Sequence, residues 1–269
     1  MKTVILAGGM QSILNQDREG LPKPMVPIGG KPLLWHIMKH FSAYGFNEFI
    51  ICGGYRVGMI KEYFKDFYIY QSDITVDLSD NTIEIHKKKT EDWKVTVVDT
   101  GLFSATGQRV GRIERYIDGE NFFVAYGDCL SDIDLHAMCK EHFRQGKTAT
   151  LAVAKPSGRN VLLPLDESGG VHMEQLKEGG SAAAWIHAGC LVLHRSAFAL
   201  LQGNYDLEKQ LFVKLSEKQQ IGSYKHRGYW TAVDTRRDLA CAENLWNAGI
   251  APWAADTVQE GKEWKNGKC

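Results

Sequence analysis

Val4-Ile5-Leu6-Ala7-Gly8-Gly9-Met10, with Pro22-Lys23-Pro24-Met25 after it, decides how this chain folds. An apolar run of this kind is a buried strand, and paired glycines at its carboxyl end let backbone N–H groups approach a polyphosphate closely. Lys23 stands between two prolines that keep its neighbours out of helix, so its ammonium is offered from a stiff turn. Strand, glycine turn and lysine together read as a nucleotide-phosphate cradle at the edge of an α/β sheet.

The rest of the chain extends that pattern. Gly29-Gly30 make a turn, Pro32 starts a helix with Leu34, Ile37, Met38, Phe41 and Tyr44 at helical spacing, and Gly45 stops it. Phe49 to Cys52 is a short buried strand ending in Gly53-Gly54, and a second helix is predicted near Val57 to Phe67. This order implies parallel strands with helical crossovers, so ligands should collect at the strands' carboxyl ends. Ile74 to His86 and Lys94 to Val98 alternate apolar and polar residues, which predicts antiparallel strands outside the central sheet. Phe122 to Tyr126 is a further core strand ending at Gly127-Asp128; a helix over Leu135 to Gln145 and a strand over Thr148 to Ala154 follow. Val161 to Leu193 is strand-rich, and helices over Leu207 to Lys218 and Arg236 to Ala248 flank a strand at Ile221 to Lys225.

Composition narrows the class. Of 269 residues, 44% are hydrophobic and 24% charged, the make-up of a globular protein, and the length suits one large α/β domain. We expect a single unit over 1–250, with a nucleotide half over about 1–155, an acceptor half over about 156–250, and a loosely held tail over 251–269. Lys+Arg and Asp+Glu balance at 32 each, so no overall field recruits nucleic acid or an anionic membrane. No apolar run reaches membrane-spanning length, and the N-terminal run breaks too early at Gly8-Gly9 for a signal peptide. The six cysteines are scattered without a CxxC pair, which suits free thiols in a reducing cytoplasm.

Acidic residues sit where a metal-bound nucleotide would need them. Asp128 follows Tyr126-Gly127 at a strand end, and Asp234 lies in Trp230-Thr231-Ala232-Val233-Asp234-Thr235. Mg²⁺ commonly takes one or two carboxylates and completes its shell with phosphate oxygens and water, so two aspartates suffice. The alternative for Asp128 is a helix cap, a role that Asp134, directly before Leu135, fills better.

Longer motifs carry a resemblance. The opening strand, Pro22-Lys23-Pro24-Met25, Ile28-Gly29-Gly30-Lys31-Pro32, Leu34-Trp35-His36-Ile37-Met38-Lys39 and Tyr126-Gly127-Asp128 form one ordered set. A second comprises Ser72-Asp73-Ile74-Thr75, Asn81-Thr82, Trp93 to Gly101, Thr106-Gly107-Gln108-Arg109, Gly228-Tyr229-Trp230 and Asp234 to Asp238. From Met1 to about Trp246 the chain resembles the nucleoside-triphosphate:sugar-1-phosphate nucleotidyltransferases, and within them the glucose-1-phosphate cytidylyltransferases. The resemblance implies a Rossmann-like α/β fold with a mostly parallel central sheet flanked by helices and a small antiparallel β insertion. It implies transfer of a cytidylyl group from CTP to a phosphorylated small-molecule acceptor with release of pyrophosphate, Mg²⁺ as cofactor, and a homo-oligomer. It places the nucleotide at Leu6, Ala7, Gly8, Gly9, Met10, Lys23, Thr106, Arg109 and Gly127, and Mg²⁺ at Asp128 and Asp234. Lys23, Lys177, Asp128 and Asp234 would serve catalysis, and Lys177, His187 and Gly189 the acceptor. Read by themselves, Lys23 and Lys177 could equally be solvated surface lysines.

The chain departs from that family at four places. The family's first loop reads Gly-Gly-x-Gly-Thr-Arg, whereas here Gly8-Gly9-Met10 runs into Gln11-Ser12-Ile13. Loss of one preorganised charged donor costs about 3 kcal/mol of transition-state stabilisation, or about a hundredfold in rate; Arg18 is a candidate substitute. Glu-Lys-Pro becomes Leu176-Lys177-Glu178, and Ile-Asn-Gly-Gly becomes Ile186-His187-Ala188-Gly189. The sugar-side Gly-Arg-Phe-Gly becomes Gly158-Arg159-Asn160-Val161. His187 is then either a new ligand contact or a polar residue on a half-exposed strand. Three functions stay open: a cytidylyltransferase whose acceptor differs from glucose-1-phosphate, a catalytically impaired homologue that binds CTP or a CDP-sugar as a sensor or partner subunit, or an ordinary glucose-1-phosphate cytidylyltransferase whose loop found another clamp.

Overall fold

The computed structural model describes residues 1–9, 20–86, 91–155, 170 and 185–254. Seven strands build the central sheet: β1 (Thr3–Ala7), β2 (Glu48–Gly53), β3 (Lys94–Asp99), β4 (Asn121–Tyr126), β5 (Ala149–Ala154), β6 (Ile186–His194) and β7 (Ile221–Lys225). Their order across the sheet is β7-β5-β6-β4-β1-β2-β3. β1 runs parallel to β2 and β4, β2 parallel to β3, and β5 parallel to β7. Only β6 is reversed, antiparallel to both β4 and β5. One edge of the sheet therefore collects the carboxyl ends of six strands and the amino end of the seventh.

Both faces are covered, which is why β1, β4 and β5 are near-continuous apolar runs. On one face α1 (Leu33–Ala43) turns Leu34, Ile37, Met38 and Phe41 inward. α2 (Val57–Lys65) adds Ile60 to this core. On the other face Val110 of α3 (Thr106–Gly111) joins Val4, Leu6, Phe122, Val124, Leu191 and Phe212. α4 (Leu135–Gln145) starts at Asp134, whose Oδ1 accepts from the Ala137 N–H at 2.8 Å, and stops at Gly146 with φ 60°. α5 (Phe212–Glu217) and α6 (Arg236–Asn247) complete the set, and Leu239, Ala242 and Leu245 of α6 return to the first core. Burial of each large apolar side chain stabilises the fold by roughly 1.5–3 kcal/mol. Among the described residues no helix is long and apolar enough to cross a membrane.

Four expectations are corrected. Lys94–Asp99 is not an antiparallel strand outside the sheet but its parallel edge, paired with β2. Its alternation arises because an edge strand is incompletely covered: Val95 and Val97 pack on the first core while Lys94 and Asp99 stay exposed. Ile74–Asp77 and Thr82–Ile85 do form a separate antiparallel hairpin. The packed chain also extends past residue 250: Ala251 and Trp253 are buried, and the Trp253 indole N–H donates to His36 Nδ1 at 3.3 Å. The helical segment placed over Leu207 to Lys218 begins as a wide π-type turn, Leu207–Leu211, and becomes regular only in α5. Cys52, Cys129, Cys139 and Cys190 are free thiols as expected, whereas Cys241 is disulfide-bonded.

Candidate functional site

Gly8 and Gly9 leave β1 at the collecting edge of the sheet, beside the carboxyl end of β4. Gly127, first after β4, donates its N–H to Leu6 O at 3.0 Å. A Cβ there would lie 2.7 Å from that same oxygen, so the close approach of the two strand ends needs glycine. Lys23 opens the short 3₁₀ turn Lys23–Met25, with Pro22 before it and Pro24 inside it. Leu6, Ala7, Gly8, Gly9, Lys23, Gly127 and Asp128 border a cleft of about 280 Å³, and Tyr55, beyond β2, closes one side.

Asp128 and Asp234 meet in this cleft. The short strand Trp230–Ala232 pairs antiparallel with Cys129–Ser131, setting Ala232 opposite Cys129, and the Val233 N–H donates to Asp128 O at 2.8 Å. That pairing lays the chain before Asp234 alongside the chain after Asp128. Behind Asp234, Thr235 and Asp238 form a reciprocal capping box that starts α6, and Asp238 Oδ2 accepts from the Asp234 N–H at 3.1 Å. The two carboxylates converge on one cation: Lys23 Nζ donates to Asp128 Oδ2 at 2.7 Å and also to Asp234 Oδ1. Burial works against the Lys23 charge, but the carboxylates beside it outweigh that and hold its pKa above the ordinary lysine value. Among the described residues no group of three or more His, Cys, Asp or Glu could hold a metal ion.

Thr106 and Arg109 lie behind the loop. The Thr106 hydroxyl accepts from the Leu207 N–H at 2.8 Å. Arg109 is 2% exposed and gives its guanidinium to Gly53 O, Thr100 Oγ1, Gly101 O and Leu102 O at 3.1, 2.8, 2.8 and 3.2 Å. It thereby ties together the segments that follow β2 and β3. A Cβ on Gly8 would overlap this guanidinium, and one on Gly54 would come within 2.7 Å. Both glycine turns rest directly on a planar cation.

The residues expected at the acceptor adjoin β4 through β6. Gly189 has φ 70°, and a Cβ there would lie 2.5 Å from Cys129 Sγ, so glycine serves both the backbone and the neighbouring loop. The His187 ring stands edge-on to Tyr126 at 5.2 Å and to Phe212 at 5.6 Å. Burial holds its pKa below the ordinary histidine value. The Trp230 indole N–H donates to Ala188 O at 2.7 Å, joining β6 to the strand that carries Asp234. Met10 and Lys177, with Arg18 and the Gly158 to Val161 segment, lie outside the described residues. Sequence reading did not single out Tyr55, which lines the cleft beside Gly8 and Gly9.

Comparisons with known proteins find relatives over most of the chain. A family model described as nucleotidyl transferase matches residues 2–245. The glucose-1-phosphate cytidylyltransferase of Salmonella typhi is 42% identical over 255 residues, covering 94% of this chain and 98% of that protein. A probable glucose-1-phosphate cytidylyltransferase of Bacillus subtilis is 35% identical, covering 94% and 99%. Among solved structures, HddC from Yersinia pseudotuberculosis superposes with a TM-score of 0.72 at 20% identity, covering 91% of this chain and 99% of that one.

Proposed function

We propose that this chain, which belongs to the nucleotidyl transferase family, moves the cytidylyl group of CTP onto a phosphorylated sugar-like acceptor and releases pyrophosphate. An oxygen of the acceptor phosphate attacks the α-phosphorus of CTP, and the bond from that phosphorus to the bridging oxygen of the β-phosphate breaks. The carrying observation is the convergence of Asp128 and Asp234 on one cation beside Gly8-Gly9. Little covalent work falls to the protein, which aligns two anions and offsets their charge.

Asp128 and Asp234 would hold Mg²⁺. The donor set fits, because both carboxylates already face a single cation and Mg²⁺ in nucleotide sites takes only one or two carboxylates. When bound, the metal supplies neutralisation of phosphate charge. The chain's own groups do the rest. Backbone N–H groups of the glycine turn bind phosphate oxygens, Lys23 adds a cation from a stiff turn, and Arg109 braces the turn from behind. By resemblance Lys177 would take the acceptor phosphate. His187, in place of the family's amide, favours an acceptor other than glucose-1-phosphate.

The separate hairpin supports a homo-oligomer. Ile74 pairs with Ile85 and Val76 with Ile83, so one face of the hairpin is apolar; Ile74, Val76 and Ile83 are exposed. A two-stranded hairpin is at best marginally stable unless its apolar face is covered, and a second copy of the chain supplies that cover. Val76→Asp should lower the mass measured by light scattering to that of a smaller species without changing the unfolding temperature of the sheet.

The replaced first loop, Gln11-Ser12-Ile13, favours a second reading, a CTP or CDP-sugar binder without turnover. Pyrophosphate release measured with CTP, UTP, GTP and ATP in Mg²⁺, against glucose-1-phosphate and a panel of other sugar and polyol phosphates, separates the two. Release with CTP and one acceptor supports the transferase. CTP binding by calorimetry with no release from any acceptor supports the binder.

A further inference from the structure

The wall of the cleft on the β2 side carries a strained residue. β2 runs into Gly53-Gly54 and then Tyr55-Arg56, on the flank of β1 opposite to β4 and Asp128. Arg56 precedes α2 with φ 46° and ψ 39°, the left-handed region, where a side chain with a Cβ meets a steric cost. Its side chain makes no capping hydrogen bond to the helix that would offset this. Asn81 and Gln219 share the conformation among the described residues. Asn81 lies in the hairpin turn, where asparagine is often found, and Gln219 precedes β7 at the opposite edge of the sheet. Arg56 alone of the three stands at the edge that collects ligands, and backbone strain in folded proteins clusters at such places.

The guanidinium stands against the cleft. Arg56 Cζ is 5.9 Å from the centre of the Tyr55 ring, and that ring borders the cleft together with Gly8, Gly9 and Lys23. Gly20, on the segment that leads to Lys23, has φ 71°, and a Cβ there would lie 3.0 Å from Tyr55 Oη and 3.2 Å from Arg56 Cζ. Tyr55 and Arg56 therefore touch the approach to Lys23 from the side away from the carboxylates. Arg56 is exposed, and its Nη1 reaches Met59 Sδ at 3.9 Å, a weak acceptor that a phosphate oxygen would replace. Arg109 is no substitute, because it gives its donors to Gly53 O, Thr100 Oγ1, Gly101 O and Leu102 O beneath the glycine turns.

Resting on the transferase reading above, we propose that Arg56 binds the terminal phosphates of CTP, the part that departs as pyrophosphate, from the β2 side of the cleft. The planar fork of a guanidinium matches two phosphate oxygens at once. Its charge offsets the negative charge that builds on the leaving group as the bond from the α-phosphorus to the bridging oxygen breaks. The first loop has no arginine at Gln11-Ser12-Ile13, and Arg56 supplies that contact from a different element of the chain.

Arg56→Gly is the informative variant, because glycine adopts the left-handed backbone freely and the fold should tolerate it. The test is calorimetry on the full chain in Mg²⁺ with two probes, CTP and CDP-glucose, the second lacking the departing pyrophosphate. Arg56→Gly should weaken CTP about tenfold and leave CDP-glucose unchanged, as loss of one charge-assisted contact predicts. Its urea midpoint should equal or exceed that of the wild type. Arg56→Lys, which keeps the charge and loses the fork, should recover only part of the CTP affinity. Unchanged CTP binding in Arg56→Gly overturns the assignment and leaves the transferase reading standing. Equal weakening of both probes, or a lowered urea midpoint alongside the loss, assigns Arg56 to support of the cleft wall and also overturns it. Wild-type protein that binds neither probe overturns the transferase reading itself, and this assignment with it.

Discussion

The nucleotide side and the acceptor side of the cleft share one sheet edge but differ in how completely their polar groups are satisfied. Around Gly8, every donor on the Arg109 guanidinium that reaches an acceptor reaches backbone or a buried hydroxyl, and Lys23 is held by two carboxylates. Around His187, the buried ring nitrogen Nε2 has no hydrogen-bond partner among the described residues, and the Glu208 carboxylate accepts from the Tyr126 hydroxyl. The first region is organised before any ligand arrives, as electrostatic catalysis of phosphoryl transfer requires. The second is held mainly by the ring contacts of His187 with Tyr126 and Phe212 rather than by ion pairs.

The sharpest way to break this contrast is at the carboxylates. Asp128→Asn should lower the rate of Mg²⁺-dependent pyrophosphate release at least about a hundredfold while the far-ultraviolet circular dichroism stays that of the wild type. Retention of most of the rate would remove Asp128 from the site. Lys23→Met comes next, at about tenfold to a hundredfold in rate, without rescue by Lys23→Arg. This variant leaves Asp128 and Asp234 facing each other without their cation. Added Mg²⁺ should therefore raise its unfolding temperature more than that of the wild type, and an equal rise in both would contradict a shared cation position.

A smaller effect tests the brace. Gly8→Ala pushes a methyl into the Arg109 guanidinium, so CTP affinity should drop about tenfold, with a stability loss of about 1–3 kcal/mol in urea. Gly9→Ala meets nothing within 4 Å and should change stability far less. Acid supplies the smallest effect and acts outside both regions. Burial pushes His40 and His142 down to about 4, well under the ordinary 6.5. Both rings are thus neutral in the fold but take up protons when unfolded below about pH 6.5. Stability is full above that pH and is lost as pH falls toward 4, by about 1 kcal/mol per histidine at pH 6. Urea midpoints at pH 7.5 and 6.0 read this directly, and replacing either ring with glutamine should shrink the difference.

Much of this was legible in the chain because the signals are local. Val4 to Ala7, Phe122 to Tyr126 and Ile221 to Lys225 read as strands since both sheet faces bury them. Asp128 and Asp234 stood out because each follows a strand, even though their meeting depends on the long-range pairing of Cys129–Ser131 with Trp230–Ala232. The edge position of Lys94–Asp99 was hidden because alternation records which face is covered, not which neighbour the strand has. Arg109 was placed at the nucleotide by resemblance alone, and only the packing of Gly8 and Gly54 against its guanidinium shows that it braces both glycine turns. Glu208 had no local signal at all, since its meaning lies in a tyrosine on another strand.

The return of the chain's last helix to its first turns has a consequence for synthesis. Glu243 of α6 accepts from the Gly29 N–H at 2.8 Å, and a Cβ on Gly29 would strike the Trp246 indole. The turn that follows Lys23 is therefore seated only after α6 has left the ribosome. A chain synthesised only as far as the central sheet can carry the glycine loop in its proper strand and still lack both Asp234 and the support beneath Gly29, so the cleft is assembled only once α6 has emerged.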